Sequence, residues 1–235
     1  LRALPTSKLA LQPVFGAARA RAKLLADEII RCRWTLPRGF NALVFRCLGL
    51  SEARWLPPRS SRLAVITPFC GAQAMSEVVK RTSQAVALVS RPEELAKLPS
   101  AALDKFDRVL IMDDAVENEQ VAAEGADRES AKGLHAKVYV SQYNWDTTVA
   151  VGSANMTEAG LFGTNVEVMA ELTGKRSAVG GIDDLLAPGG LGGVLVAYEP
   201  GESEAPSAEE VAAEQALESA RRSLATAKLS LRCEG

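Results

Sequence analysis

The sequence predicts an α/β fold, with a mixed, largely parallel sheet flanked by helices. Three observations predict it. From Leu63 onward, short apolar runs alternate with helical segments, as parallel layers require. Three later segments alternate apolar and polar residues with a period of two, the signature of half-buried strands. The chain has 235 residues, 47% hydrophobic and 24% charged, which is ample for a sizeable core.

Residues 1–62 read as an N-terminal extension or part of a truncated domain. Helical spacing runs from Phe15 to Arg31, with Phe15, Leu24, Leu25, Ile29 and Ile30 as its apolar set. "NALVFRCLGL" has strand character, and "RWLPPRSSR" is a connector because Pro57 and Pro58 cannot join a central ladder. Residues 63–200 form the main domain. "RLAVITPF" is a strand stopped at Pro68, "AMSEVVKRT" a helix, and "AVALVS" a second strand. Pro92 suits the first turn of the helix "PEELAKL". "RVLIMDD" is a third strand, ending in Asp113 and Asp114, and the polar run after it reads as a loop. "LHAKVYVSQ", "TTVAVGSAN" and "NVEVMAEL" are the three alternating strands, with "YNWDT" as a hairpin tip between the first two. The glycine-rich "VGGIDDLLAPGGLGGV" lacks the phosphate-loop patterns and reads as a loop around a short helix. Residues 201–235 close the chain as a helix, with Ser207 and Glu210 as a capping box and Arg221, Arg222 and Lys228 trailing.

Composition narrows the partners. The net charge of −2 excludes wholesale binding to a polyanion and leaves a local patch. Cys32, Cys47, Cys70 and Cys233 are scattered, without a zinc spacing or a disulfide framework, so a reducing, cytoplasmic setting is expected. No apolar run spans a bilayer, and the opening "LRALPTSKLA" has neither a secretory apolar core nor an initiator Met, which suggests a fragment.

His135 is the only histidine. In "LHAKVYV" it shares one strand face with Lys137 and Tyr139, while Leu134, Ala136, Val138 and Val140 share the other. The polar face must open to a cleft or bear a heavy desolvation cost. Ser153 and Asn155 are again two apart, and Gly152 leaves room for close approach of a ligand. In the third strand Asn165, Glu167 and Glu171 lie opposite Val166, Val168, Ala170 and Leu172. If the strands adjoin, one place receives an imidazole, an ammonium, an amide, a hydroxyl and a carboxylate, a set suited to phosphoryl transfer. Imidazole can attack phosphorus and be displaced later. Lysine places a point charge on a phosphate oxygen. Amide and hydroxyl donors meet the charge that builds there. No His, Cys and Asp cluster resembles a metal site, so neither a metal nor another cofactor is expected.

"HAK" followed by "GSANMTEAG" and "NVEVMAEL" resembles the phospholipase D superfamily, whose signature is HxK, a spaced Asp, then GSxN. The match covers roughly Leu63 to Leu172 and is similar to bacterial phospholipase D-like proteins of the nuclease and defence type. It implies a phospholipase D-like half-domain and a metal-independent phosphodiesterase working through a phosphohistidine. By resemblance His135 is the nucleophile, Lys137, Ser153 and Asn155 hold the phosphate, and Glu167 orients His135. The family brings two motifs together. This chain has one, so a homodimer or a second half is expected. The family's Asp usually falls where Gln142 stands; Asp146, further on in a longer hairpin, is its displaced equivalent or a turn residue.

The leading reading is a nuclease acting on DNA or RNA, in a defence or restriction setting. The alternatives are a phospholipase or phosphatidyltransferase, and a non-catalytic half-site module that binds nucleic acid. No basic amphipathic helix with bulky aromatics favours the lipid reading. Glu171 competes with Glu167, Asp113 and Asp114 read as structural, and Trp145 stacks on a base or simply packs the tip.

Overall fold

The computed structural model describes residues 16–32, 35–49, 54–113, 134–163 and 165–200, with Ala216 and Ala220 further on. The chain forms two units, Leu1–Glu199 and Pro200–Gly235. In the second, Ala216 and Ala220 are helical, and the capping pair Ser207 and Glu210 lies outside the described residues, as do Phe15, Asp114 and Cys233.

The first unit opens with α1 (Gly16–Arg31) and β1 (Phe40–Leu48). β2 (Ser60–Ile66), α2 (Ala72–Val79) and β3 (Thr82–Val89) follow. Two short helices, α3 (Pro92–Leu95) and α4 (Ser100–Leu103), lead to β4 (Arg108–Met112). Then come β5 (Val138–Tyr143), β6 (Asp146–Gly152), α5 (Glu158–Leu161) and β7 (Glu167–Lys175). α6 (Arg176–Val179), α7 (Ile182–Leu185), a 3-10 turn over Leu191–Val194 and β8 (Leu195–Ala197) complete it.

All eight strands form one sheet in the order β1-β7-β6-β5-β2-β3-β4-β8. The α/β class and the mixed sheet agree with the sequence, but the sheet is not largely parallel. Only β2–β3 and β3–β4 pair in parallel; the other five pairings are antiparallel. The physical reason lies in the connections. Helices carry the chain back between β2, β3 and β4, whereas β5 and β6 are joined by Asn144 and Trp145 alone, which only an antiparallel pair permits. Asn144 takes the left-handed conformation this tight tip needs, with φ 52°. β8 is three residues long and follows a glycine-rich run, so it carries too little pattern to be read from the sequence.

Alternation along the strands divides the core between the two sheet faces. Leu63, Val65, Leu88, Tyr139 and Ala150 pack with Met75 and Val78 of α2. Ala64, Ile66, Val140 and Leu134 pack with Ile182 and Leu186 on the other side. β7 inverts the expected polarity. Its Glu167 and Met169 are buried, while Val168, on the apolar face, is 50% exposed. Phe45 of β1 and Val151 of β6 both pair with Ala170, so Phe45, Val151 and Val168 share one open apolar strip. α1 likewise leaves Leu24, Leu25 and Ile30 exposed and buries Ala26.

β2, β3, β4 and β6 end, and β5 and β7 begin, at the same edge of the sheet. Every chemically interesting loop of the motif strands therefore emerges at one end. Among the described residues no helix is long and apolar enough to cross a membrane.

Candidate active site

β5 begins only at Val138, so His135 stands on the lead-in to the strand and not within it. The alternation still holds there. Leu134 is buried in one core cluster, while Lys137 and Tyr139 turn to the opposite side. The lead-in is held from both flanks: Arg91 Nε donates to Leu134 O at 3.0 Å, and Gly152 N donates to Lys137 O at 3.2 Å. His135 is exposed, whereas Lys137 is only 6% exposed. The Lys137 ammonium donates to the His135 carbonyl at 2.8 Å and lies 3.3 and 3.2 Å from ring nitrogens Nδ1 and Nε2. One lone pair on a neutral imidazole can accept from it, on the nitrogen that the tautomer leaves bare. Burial pulls the Lys137 pKa below the usual lysine range, and the Arg91 charge adds to this, against the opposing pull of Glu167.

The loop after β6 is fixed by buried hydroxyls. Tyr139, fully buried, donates to Ala154 O at 3.2 Å, and its own pKa is driven up by burial, so it serves as a strut rather than an acid. Thr67, at the end of β2, accepts from Met156 N at 3.2 Å. Met156 also bridges Cys70 in parallel, with Gly71 N donating to Met156 O at 2.9 Å. Between these anchors sits Asn155, whose amide oxygen is buried without a hydrogen-bond partner. Helix α5 is capped by Thr157, which accepts from Gly160 N, so Ser153 and Asn155 are not spent on capping.

Ser153 Oγ donates to Glu167 Oε2 and accepts from Val168 N at 3.0 Å. The second Glu167 oxygen accepts from Asn165 Nδ2 at 3.2 Å. Glu167 therefore positions Ser153 and supports the Lys137 charge. Its hydrogen bonds do not go to His135, the role the resemblance implied for it. Glu171, the competing acid, accepts from Trp55 Nε1 at 2.5 Å and from Arg46 Nε at 3.2 Å. It is committed to a structural network beside Tyr139, against whose ring Trp55 stands edge-on at 5.0 Å.

Gly152 admits the chain itself, not a ligand. A Cβ there would collide with the Val168 carbonyl and with Met169. Gly152→Ala is expected to lower stability by about 1–3 kcal/mol through overpacking. A denaturant midpoint lowered at unchanged slope would show it, and an unchanged midpoint would refute it.

Asp146 lies at the other end of the sheet, opposite Tyr143 in the hairpin, where Lys175 Nζ pairs with it at 2.7 Å. It is a turn residue and shares no space with His135. Gln142, at the family's Asp position, is buried there too, with Arg62 Nη1 3.4 Å from its Oε1. Trp145 occupies the same far end, 5.9 Å from the Arg176 guanidinium, on a cleft of about 580 Å³. Asp113 follows β4 and donates its amide N–H to Val194 O at 3.0 Å.

Sequence reasoning missed Thr67, Cys70, Ser90 and Arg91. The available signal was positional: all four follow the carboxyl ends of β2 and β3, where open α/β sheets gather ligands. Cys70 is no nucleophile. Burial pushes its thiol up to about 11, against the opposing effect of Ser90, whose Oγ lies 3.6 Å away.

No known family model matches the chain, and no curated protein matches it. Solved structures are similar to it, two of them as follows. NucT from Helicobacter pylori is 13% identical, with a TM-score of 0.35, over 56% of this chain and 86% of its own. A phospholipase D family member, Nuc from Salmonella typhimurium, is 15% identical, with a TM-score of 0.32, over 58% of this chain and 86% of its own. The ordered set His135-x-Lys137, Gly152-Ser153-x-Asn155 and Glu167, which resembles the phospholipase D signature, is drawn to one end of a mixed α/β sheet.

Proposed function

We propose that the protein is a metal-independent phosphodiesterase that cleaves nucleic acid, DNA or RNA, through a phosphohistidine. The observation that carries this reading is the buried Lys137 ammonium held against His135, at the sheet end that also carries Asn155. A buried charge of this kind is retained where an anion will meet it.

In the first step a His135 ring nitrogen attacks phosphorus. The P–N bond forms, the P–O bond to the leaving group breaks, and the leaving oxygen takes a proton from a second imidazole. Water then displaces His135 from phosphorus, giving its proton to that second imidazole. Lys137, Asn155 and the Ser153 hydroxyl stabilise the charge on the phosphoryl oxygens. Labelled oligonucleotides incubated with metal-free protein test the reading. Cleavage is expected from the natural chain and none from His135→Ala; cleavage by both would refute it.

The second imidazole has to come from outside this sequence, which holds one histidine, and a second copy of the chain is the source we test. Light scattering is expected to report twice 25.0 kDa. A monomer without activity would instead favour a non-catalytic module that binds nucleic acid.

A further inference from the structure

We infer that Phe69 and Arg91 form a subsite beside His135 that takes one unpaired nucleobase together with its phosphate, so that the strand at the scissile bond is single-stranded. The inference rests on the nucleic-acid reading above and names the form of the substrate.

Phe69 sits just past the end of β2 and is 38% exposed, an unusual place for a phenyl ring in an anchored loop. The loop is not free to fold the ring inward. Phe69 O accepts from Thr67 Oγ1 at 2.9 Å, and the next residue, Cys70, is bridged to Met156. Met156 immediately follows Asn155, so the ring is tied to the phosphate-holding loop by two short links.

Arg91, at the end of β3, lies with its guanidinium carbon 5.2 Å from the Phe69 ring centroid. Its Nε is fixed on Leu134 O at 3.0 Å, one residue before His135. Among the described residues its terminal nitrogens make no hydrogen bond. Of the two acids that follow it in sequence, Glu93 and Glu94, the second is engaged by Lys97 at 2.9 Å. Arg91 and Lys137 are thus two cations set close enough for one to depress the pKa of the other. Like charges so placed repel unless an anion lies between them. A guanidinium with unengaged donors meets a phosphate in a planar, two-pronged manner.

A phenyl ring flanked by such a cation is a stacking platform for a base, and each base has a π face. In a duplex, stacking covers both faces of every base, so only an unpaired or extruded base can reach Phe69.

The test uses the full chain carrying His135→Ala, so that binding is read without turnover. Fluorescence anisotropy compares a single-stranded oligonucleotide, the same strand with abasic sites, and the duplex. Phe69→Ala is expected to weaken single-strand binding about tenfold, a loss that disappears on the abasic strand, while Phe69→Tyr retains affinity. Arg91→Ala should reduce the slope of log affinity against log salt by roughly 0.7, the value for one phosphate on a single strand, and Arg91→Lys should restore it. Melting curves of each variant report folding separately. Equal losses on the base-bearing and abasic strands, no loss on either, or tighter binding of the duplex would overturn the subsite. If the natural chain cleaves oligonucleotides while Phe69→Ala binds normally, the subsite fails and the nuclease reading stands. Phe69-dependent binding without cleavage by the natural chain has the opposite meaning. Absence of binding overturns both.

Discussion

His135→Ala is expected to lower kcat for oligonucleotide cleavage by at least about a thousandfold, the scale on which removal of a covalent nucleophile acts. The substitution should leave the fold intact. The imidazole is exposed, and the backbone carbonyl that receives the Lys137 ammonium remains in place. The loss should therefore appear in single-turnover chemistry with little change in melting temperature. Quenching turnover by the natural chain in alkaline denaturant should trap phosphorus on protein, stable in base and labile in acid, as a P–N bond behaves. If the alanine variant still cleaves, or if trapped phosphorus survives the substitution, His135 is not the nucleophile.

Lys137→Ala is expected to cost about 10²–10³ in kcat/KM, the range seen when a preorganised donor to a developing oxyanion is lost. Its pH signature is more specific. Burial, and then Arg91, lower the Lys137 pKa, with Glu167 acting in the opposite sense. The ammonium, not the neutral amine, grips phosphate. Activity should be full below the lowered pKa and fall as pH rises through it, so the alkaline limb of kcat/KM lies below the usual lysine range. Arg91→Ala removes a depressing charge and should move that limb upward. Lys137→Arg should remove it, because a guanidinium keeps its proton throughout. An alkaline limb unmoved by Lys137→Arg would show that another group titrates there. Lys137→Met, close in length and apolar, separates loss of charge from loss of packing, since the lysine stem is itself buried.

Most of the chemistry was legible because it is local. His135 and Lys137 lie two apart, as do Ser153 and Asn155, and a period of two keeps such pairs together on an extended chain whatever the fold. The same periodicity located β5, β6 and β7, while short apolar runs located β2, β3 and β4. It misjudged β7, where Val168 is open and Glu167 buried, because periodicity sorts side chains into two faces without saying which face the protein covers. It also assigned Gly152 to a ligand, although what fills that space is the Val168 carbonyl of a neighbouring strand.

By itself, then, the sequence determined the α/β class, the strands of the motif and the pairing of His135 with Lys137 and of Ser153 with Asn155, since each depends on neighbours along the chain. Only the tertiary structure decided the antiparallel majority of the sheet, the exclusion of Asp146, the engagement of Glu167 with Ser153 and Asn165, and the arrival of Phe69 and Arg91 beside His135. Those facts turn on which strand lies beside which. Arg91 and Leu134 are 43 residues apart in sequence and one hydrogen bond apart in space, a contact set by sheet order that no local pattern records.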